Sequence, residues 1–229
     1  MRMIFCYSGN FSTVKAVQLE DNNYTQYTND HNETIYTINI SDEQLQQAQI
    51  EELREKYEGP FNLLNNEYSY TYTPLNSYTT GNNATDYILI GTRLSWAQRS
   101  SVTISATASF TVSATYQDIT GSSTVSMGIN DTISFDSNYD SKLGLFGRIK
   151  LTQYRITITD NYSGSQVGSY TDYDLTILSK AYRPVYAENG GKLFFKYGGT
   201  RYYAKMLKRS LDSPTLTSSD YEIAYRSEF

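Results

Sequence analysis

The chain holds one histidine, His31, and one cysteine, Cys6, and that pair limits its chemistry at the outset. A zinc site takes about four Cys, His or carboxylate ligands. Serine-triad and Cys–His mechanisms both need an imidazole base. Here that base is His31, in a polar stretch, and no nucleophile motif accompanies it. Asp136-Ser137-Asn138-Tyr139-Asp140 has the alternating oxygen ligands of a calcium loop. Ser141 stands where the loop glycine belongs, however, and Gly147 where the bidentate glutamate belongs. A turn rich in Asx residues accounts for the segment better. A glycosidase acid–base pair is set by three-dimensional spacing, and nothing local favours one. Gly190-Gly191 and Gly198-Gly199 lack the lysine and helix of a phosphate loop. No catalytic residue, metal or cofactor is therefore expected, and the chain reads as non-enzymatic.

What remains is surface chemistry. From Lys180 to Arg209 there are eight basic residues against the single acid Glu188, leaving 11 basic and 23 acidic residues elsewhere in a chain of net charge −5. A solvated hairpin face explains this run, and docking onto an acidic neighbour or nucleic acid is the sharper alternative. Interleaved aromatic and basic residues (Phe194, Phe195, Lys196, Tyr197, Arg201, Tyr202, Tyr203, Lys205) fit either a half-buried hairpin or a single-strand platform, the hairpin being favoured. The interface candidates are Lys192, Lys196, Arg201, Tyr202, Lys205, Lys208 and Arg209, with Tyr221 and Tyr225 of the tail adding a strand to a neighbouring edge. Trp96, between Arg93 and Arg99, is a core residue or a sugar platform, the core reading being favoured.

The elements that position these residues are mostly strands. Tyr (23 residues), Thr, Ser and Asn dominate the composition, and Thr and Tyr fit a pleated, half-buried surface. Aromatic and β-branched richness excludes global disorder. Residues 102–116 alternate strictly, with Val102, Ile104, Ala106, Ala108, Phe110, Val112, Ala114 and Tyr116 on one parity and only Ser or Thr on the other. One strand of that length would run about 50 Å, so a bulge, a sheet switch or a protruding ribbon is expected. Its hydroxyl face is compatible with packing against another chain. Between Ile149 and Thr159 the apolar parity shifts, which predicts a one-residue bulge near Thr152-Gln153. Residues 41–58 form a helix capped by Ser41 and Gln44 and stopped by Gly59-Pro60. Its expected apolar stripe is Leu45, Ala48, Ile50, Leu53 and Tyr57. Residues 21–32 read as an exposed loop and 61–84 as a connector with a short strand at Tyr68–Tyr72.

The expected architecture is mainly β: an antiparallel β-sandwich, immunoglobulin-like or jelly-roll-like, with one helix near the N-terminus and a C-terminal β-hairpin and arm. Three segments follow: 1–84, strands, helix and connector; 85–180, the sandwich; 181–229, the basic hairpin and tail. No signal-peptide core or transmembrane span is present, and a lone cysteine gives no argument for an oxidising compartment. In general style the chain resembles virion proteins of tailed bacteriophages: low Cys and Pro, richness in Tyr, Asn, Thr and Ser, long alternating ribbons and a polar tail. That resemblance spans the whole chain and rests on no motif. It implies a structural collar, tail-ring, tail or head-decoration component, assembled in the host cytoplasm and bound to other virion subunits in a symmetric homo- or hetero-oligomer. The alternative is a carbohydrate- or cell-surface-binding module using Trp96 and exposed tyrosines.

Overall fold

Two strands carry the architecture, and both are longer than a compact chain of this size can hold straight. Residues 141–160 and 166–187 pair antiparallel as one hairpin. At about 3.3 Å per residue the longer strand spans about 70 Å, whereas a compact chain of 229 residues is about 45 Å across. The hairpin therefore curls, and the sheet built on it forms a half-barrel.

The computed structural model describes residues 24–58, 67–104, 109–111, 114–116, 119–121, 124–126, 131–208 and 221–229. In chain order these form β1 (Tyr24–Thr28), β2 (Thr34–Ile38), α1 (Asp42–Tyr57), β3 (Tyr68–Thr79), β4 (Ile88–Ala97) and β5 (Ser101–Ile104). Three short pieces follow, β6 (Ser109–Thr111), β7 (Ala114–Tyr116) and β8 (Ile119–Gly121), then β9 (Thr124–Ser126) and β10 (Asp131–Ser134). The long pair is β11 (Ser141–Asp160) and β12 (Gln166–Ala187). After it come β13 (Leu193–Tyr197), β14 (Thr200–Tyr203), β15 (Lys205–Leu207) and β16 (Tyr221–Ile223). The chain is thus mainly β and antiparallel, with a single α-helix among the described residues, as its composition predicts.

The principal sheet has eight strands, with the path β1-β2-β12-β11-β3. The outer edge of β11 is shared: β4 pairs with its first half and β3 with its second. Strands from all three segments delimited above lie in this one sheet. Two expectations near the N-terminus need correction. Residues 24–28, read as loop, form β1, because Tyr-Thr-Gln-Tyr-Thr carries strand formers whose polarity marks an exposed strand and not a turn. The connector contains a twelve-residue strand, β3, in which Pro74 is tolerated because the strand lies at the sheet edge.

Side-chain parity explains the core. Odd residues of β11 (Leu143, Leu145, Ile149, Leu151) face the larger cluster, with Leu175 and Ile177 of β12. Even residues face a second cluster at Phe146, with Val185 and Phe195, and then a third at Tyr154 and Ile156 beneath α1. The parity shift in 149–159 is therefore not a bulge in β11. That strand stays in register with β12 from Ile149 to Ile158, and the cover changes sides: the odd face loses its packing where α1 begins to cover the even face. A register shift does occur at Gln153/Tyr154, but its extra residue is Leu75 on β3. The bulge that swaps apolar parity lies in β12, where Leu178 is left without a rung between Ile177 and Ser179. Close packing also selects Gly147, since a Cβ there would sit 2.2 Å from Ile90 Cδ1.

The helix begins as its sequence dictates. Ser41 Oγ accepts from the Gln44 amide and the Gln44 side chain accepts from the Ser41 amide, a complete capping box. Its buried stripe is Leu45, Gln49 and Leu53, so the central position is polar. The expected Gly59-Pro60 stop lies outside the described residues.

Candidate interaction surfaces

The residues singled out as an interface are placed very unequally. The hairpin β13–β14 forms as expected, with Gly198 and Gly199 at positive φ in its turn. Most of its charge is spent within the molecule. Lys196 Nζ lies 2.6 Å from Asp136 Oδ2, Arg201 pairs with Glu188, and the Arg201 guanidinium lies 3.8 Å from the centre of the Phe194 ring. Lys192 Nζ stands over the Tyr203 ring at 5.6 Å, and Tyr202 stacks on Phe195 at 5.7 Å. Just upstream, Arg183 is 3% exposed. It pairs with Glu33 and sits among the rings of Tyr87, Phe146, Phe195 and Tyr197. Lys205 is exposed and Lys208 half-buried, while Arg209 lies outside the described residues. Within the chain β16 pairs with β15, and Tyr221 packs against the larger core cluster. Tyr225 is exposed and bridges to Lys192. Within the basic run Arg183, Lys196 and Arg201 are thus held in ion pairs, and the acids of the first two, Glu33 and Asp136, come from other parts of the sequence.

The residues weighed for chemistry are absorbed into packing. His31 meets the Tyr197 ring edge-on at 4.5 Å, and a Cβ on Gly198 would fall 2.8 Å from His31 Cε1. Asp136 Oδ1 accepts from the Asn138 amide and side chain, the Asx turn expected. The Lys196 hydrogen bond holds the Asp136 carboxyl below the usual range. Asp140 pairs with Arg226 at 2.9 Å. Trp96 packs on the second core cluster, with Lys142 Nζ and the Arg226 guanidinium 5.2 and 5.0 Å from its ring centre.

Sequence reasoning missed a polar constellation under α1. The Tyr154 hydroxyl donates to Gln49 Oε1 at 2.8 Å, Gln49 Nε2 donates to Thr176 Oγ1 at 2.9 Å, and Thr176 Oγ1 donates to Asp174 Oδ2 at 3.1 Å. At its margin, Lys56 Nζ and the Tyr57 hydroxyl both donate to Asp172 Oδ2 at 2.7 Å. Asp174 is 1% exposed, and burial above all pushes its pKa up to about 7. Burial, with the Asp174 charge second, pushes Tyr154 up to about 12, and burial together with Asp172 pushes Tyr57 upward. A buried carboxyl with a raised pKa can mark a functional site. Here Asp174 is sealed by the helix and hydrogen-bonded to Thr176, so the arrangement docks α1 on the sheet. The available signal was the spacing Asp172, Asp174, Thr176 on one parity of a strand, opposite a glutamine at the centre of a helical stripe.

Two open surfaces remain. Beyond the helix, β3, β11 and β12 run on as a three-stranded blade, closed at the β11–β12 turn by an Asx turn at Asp160 and Gly164 at φ +68°. Its end carries Tyr68, Tyr162, Val167 and Tyr170, four of the seven large hydrophobic side chains exposed among the described residues, with Tyr162 84% exposed. The opposite parity of the blade, around Arg155, is Thr and Ser.

The second open surface is the ribbon. The ladders β5–β10, β6–β9 and β7–β8 are antiparallel pairs whose partner numbers add to the same total. Of the strand expected over 102–116, the described parts are the end of β5 with β6 and β7, paired with β10, β9 and β8, and residues 105–108 and 112–113 lie outside the described residues. Among the paired residues are Ser101–Ser134 and Thr103–Thr132 in the first ladder. At the base the polarity is resolved: Ile104 is buried, Val102 and Ile133 pack against the core, and Ser101, Thr103, Thr132 and Ser134 are exposed.

Among the described residues no helix is long and apolar enough to cross a membrane, and no group of three or more His, Cys, Asp or Glu is placed to hold a metal ion. Compared with family models, curated proteins and solved structures, the chain matches none.

Proposed function

We propose that this protein is a non-enzymatic structural subunit of a large assembly and acts through sheet surfaces that neighbouring subunits cover. A tailed-phage virion, in a collar, tail-ring, tail or head-decoration position, is the assembly whose general style the sequence resembles. The observation that carries the reading is the blade. A long hairpin leaves the core and ends in Tyr68, Tyr162, Val167 and Tyr170 held in water. Tyrosine joins an apolar ring to a polar tip and is enriched at interfaces, and apolar groups gathered at one end of a sheet mark a place for a partner. The basic hairpin adds little to this reading, since its ion pairs are made within the chain.

The test is the state of the purified chain, read by light scattering and electron microscopy, together with mass spectrometry of virions from the source culture. A defined symmetric oligomer, or the chain itself in purified virions, is expected. A monomer at high concentration that is missing from particles overturns the proposal. The carbohydrate-binding alternative would show as reproducible glycan-array signals lost with Trp96→Ala. The two cations standing over that ring weigh against it.

A further inference from the structure

We propose that the blade face around Arg155 receives the outer surface of α1 from a second copy of this chain, with Arg155 of one copy paired to Glu55 of the next. The inference rests on the assembly reading above and adds which two surfaces meet. Arg155 stands on one rung with Thr73 of β3 and Thr171 of β12, and the next rung of that face is Thr71–Thr157–Ser169. Thr157 is half-buried and the other five are exposed, and neither rung holds an acid. Elsewhere the chain engages its own arginines. Arg54, Arg183, Arg201 and Arg226 are in ion pairs, and Arg99 and Arg148 donate to backbone carbonyls. Among the described residues Arg155 has no such partner, and its guanidinium is left to solvent in the middle of a hydroxyl surface.

The outer surface of α1 is the complement of that face. Its exposed side chains are acids and glutamines, with no base among them. The two basic residues of the helix, Arg54 and Lys56, are already paired with Glu51 and Asp172. Glu55 is exposed one turn beyond Glu51, and its carboxylate has no ion pair among the described residues. The buried side of α1 lies on Tyr154 and Ile156, which have the opposite parity to Arg155. The helix and the arginine therefore sit on opposite sides of one blade. Stacking copies front to back places α1 between its own blade and the Arg155 face of the next. Short Ser and Thr side chains let a helix come close, and hydroxyls and glutamine amides both donate and accept hydrogen bonds. A guanidinium fork takes a carboxylate through two parallel hydrogen bonds, which fixes the register of the contact.

Two different surfaces meet, so the contact is head-to-tail. Such a contact makes a ring if the rotation between copies closes and a filament if it does not. Its size sets its strength. The helix is about 24 Å long and about 10 Å wide, a footprint of about 240 Å². A standard interface covers about 800 Å² on each partner. One contact alone is therefore weak and concentration-dependent. It becomes firm when ring closure, or the tyrosines at the blade end, holds the copies together and raises the local concentration.

The experiment uses two variants of the full-length chain, Arg155→Glu and Glu55→Arg, read by analytical ultracentrifugation with circular dichroism as the check on folding. Each variant alone opposes like charges at every contact and is expected to weaken association at least tenfold. Mixed in equal amounts, the two variants meet each other with opposite charges, and assemblies larger than a dimer are expected to return. Against an oligomeric parent, unchanged association of either variant overturns the contact and leaves the assembly reading standing. A mixture that stays dissociated does the same, and one that returns only dimers rules out the head-to-tail arrangement. A parent that is monomeric at high concentration overturns both readings. If a charge reversal unfolds the chain, Arg155→Ala, Glu55→Ala and their combination decide the question. Each single change is expected to weaken association several-fold and the combination no further, whereas losses that add show that the two side chains do not meet.

Discussion

The layer under α1 and the 101–134 ribbon are built from the same kinds of side chain and end in opposite states. Under the helix, Tyr154, Thr176 and Gln49 hydrogen-bond one another in series and end on a buried carboxyl. At the base of the ribbon, the Thr103 and Thr132 hydroxyls lie 3.1 Å apart and both residues are exposed to water. The difference lies in what covers them. A helix above a sheet removes water, so each hydroxyl must find a partner inside, and an unsatisfied one costs about 1–3 kcal/mol. A face exposed to solvent carries no such penalty, because water can satisfy its hydroxyls. The polar groups under α1 therefore fix where the helix sits, and the exposed hydroxyls of β5 and β10 do not position an element above them.

The sharpest way to break this comparison is to remove the buried charge. The Asp174 pKa of about 7 in the folded chain lies above the ordinary 3.8. Between those values the folded chain keeps a proton that the unfolded chain has released. The contribution of this carboxyl to stability is therefore fully present below about pH 4 and is lost as the pH rises through about 7. Asp174→Asn abolishes that slope, and at pH 8 the variant is expected to be more stable than the parent by on the order of 4 kcal/mol. Denaturant titrations at several pH values read this directly, and parallel pH profiles for the two proteins would show that the carboxyl is not sealed. Next in size is Leu53→Ala, which opens a cavity over Tyr154 and Ile156 and should cost about 3 kcal/mol in urea unfolding. Gln49→Leu follows. It keeps the shape of the helical stripe but strands the Tyr154 hydroxyl, for a loss of about 2 kcal/mol, and a neutral result would mean that the series of hydrogen bonds does not hold the helix. The smallest change is expected on the ribbon, where Thr103→Val should leave monomer stability within about 0.5 kcal/mol. A large loss there would show that the hydroxyl face is part of the fold and not a free surface.

Local signals were read directly wherever one element decided the outcome. The capping box at Ser41 and Gln44 starts α1 as its spacing demands. The glycines flanking β13 turn the chain, and the Asx turn at Asp136 forms. Signals that depend on which face is covered were misread. The parity change near Thr152-Gln153 looks like a bulge in one strand, yet it records α1 arriving on the other side of the sheet. Gln49 was passed over because a polar residue in an apolar stripe has no local meaning until Tyr154 and Thr176 are set beneath it. The charge excess of 180–209 pointed outward, but its acids Glu33 and Asp136 come from distant segments.

The sequence by itself determined the class of this protein, because strand and helix periods, caps and turn residues act over a few residues and need no distant partner. It also determined the alternation of β5, where Val102 and Ile104 turn to the core and Ser101 and Thr103 to solvent. Only the tertiary structure decided which polar groups would be buried and which left open. That outcome depends on the curl of the β11–β12 hairpin, which brings a helix, an edge strand and distant acids to particular faces of one sheet, and water is excluded face by face.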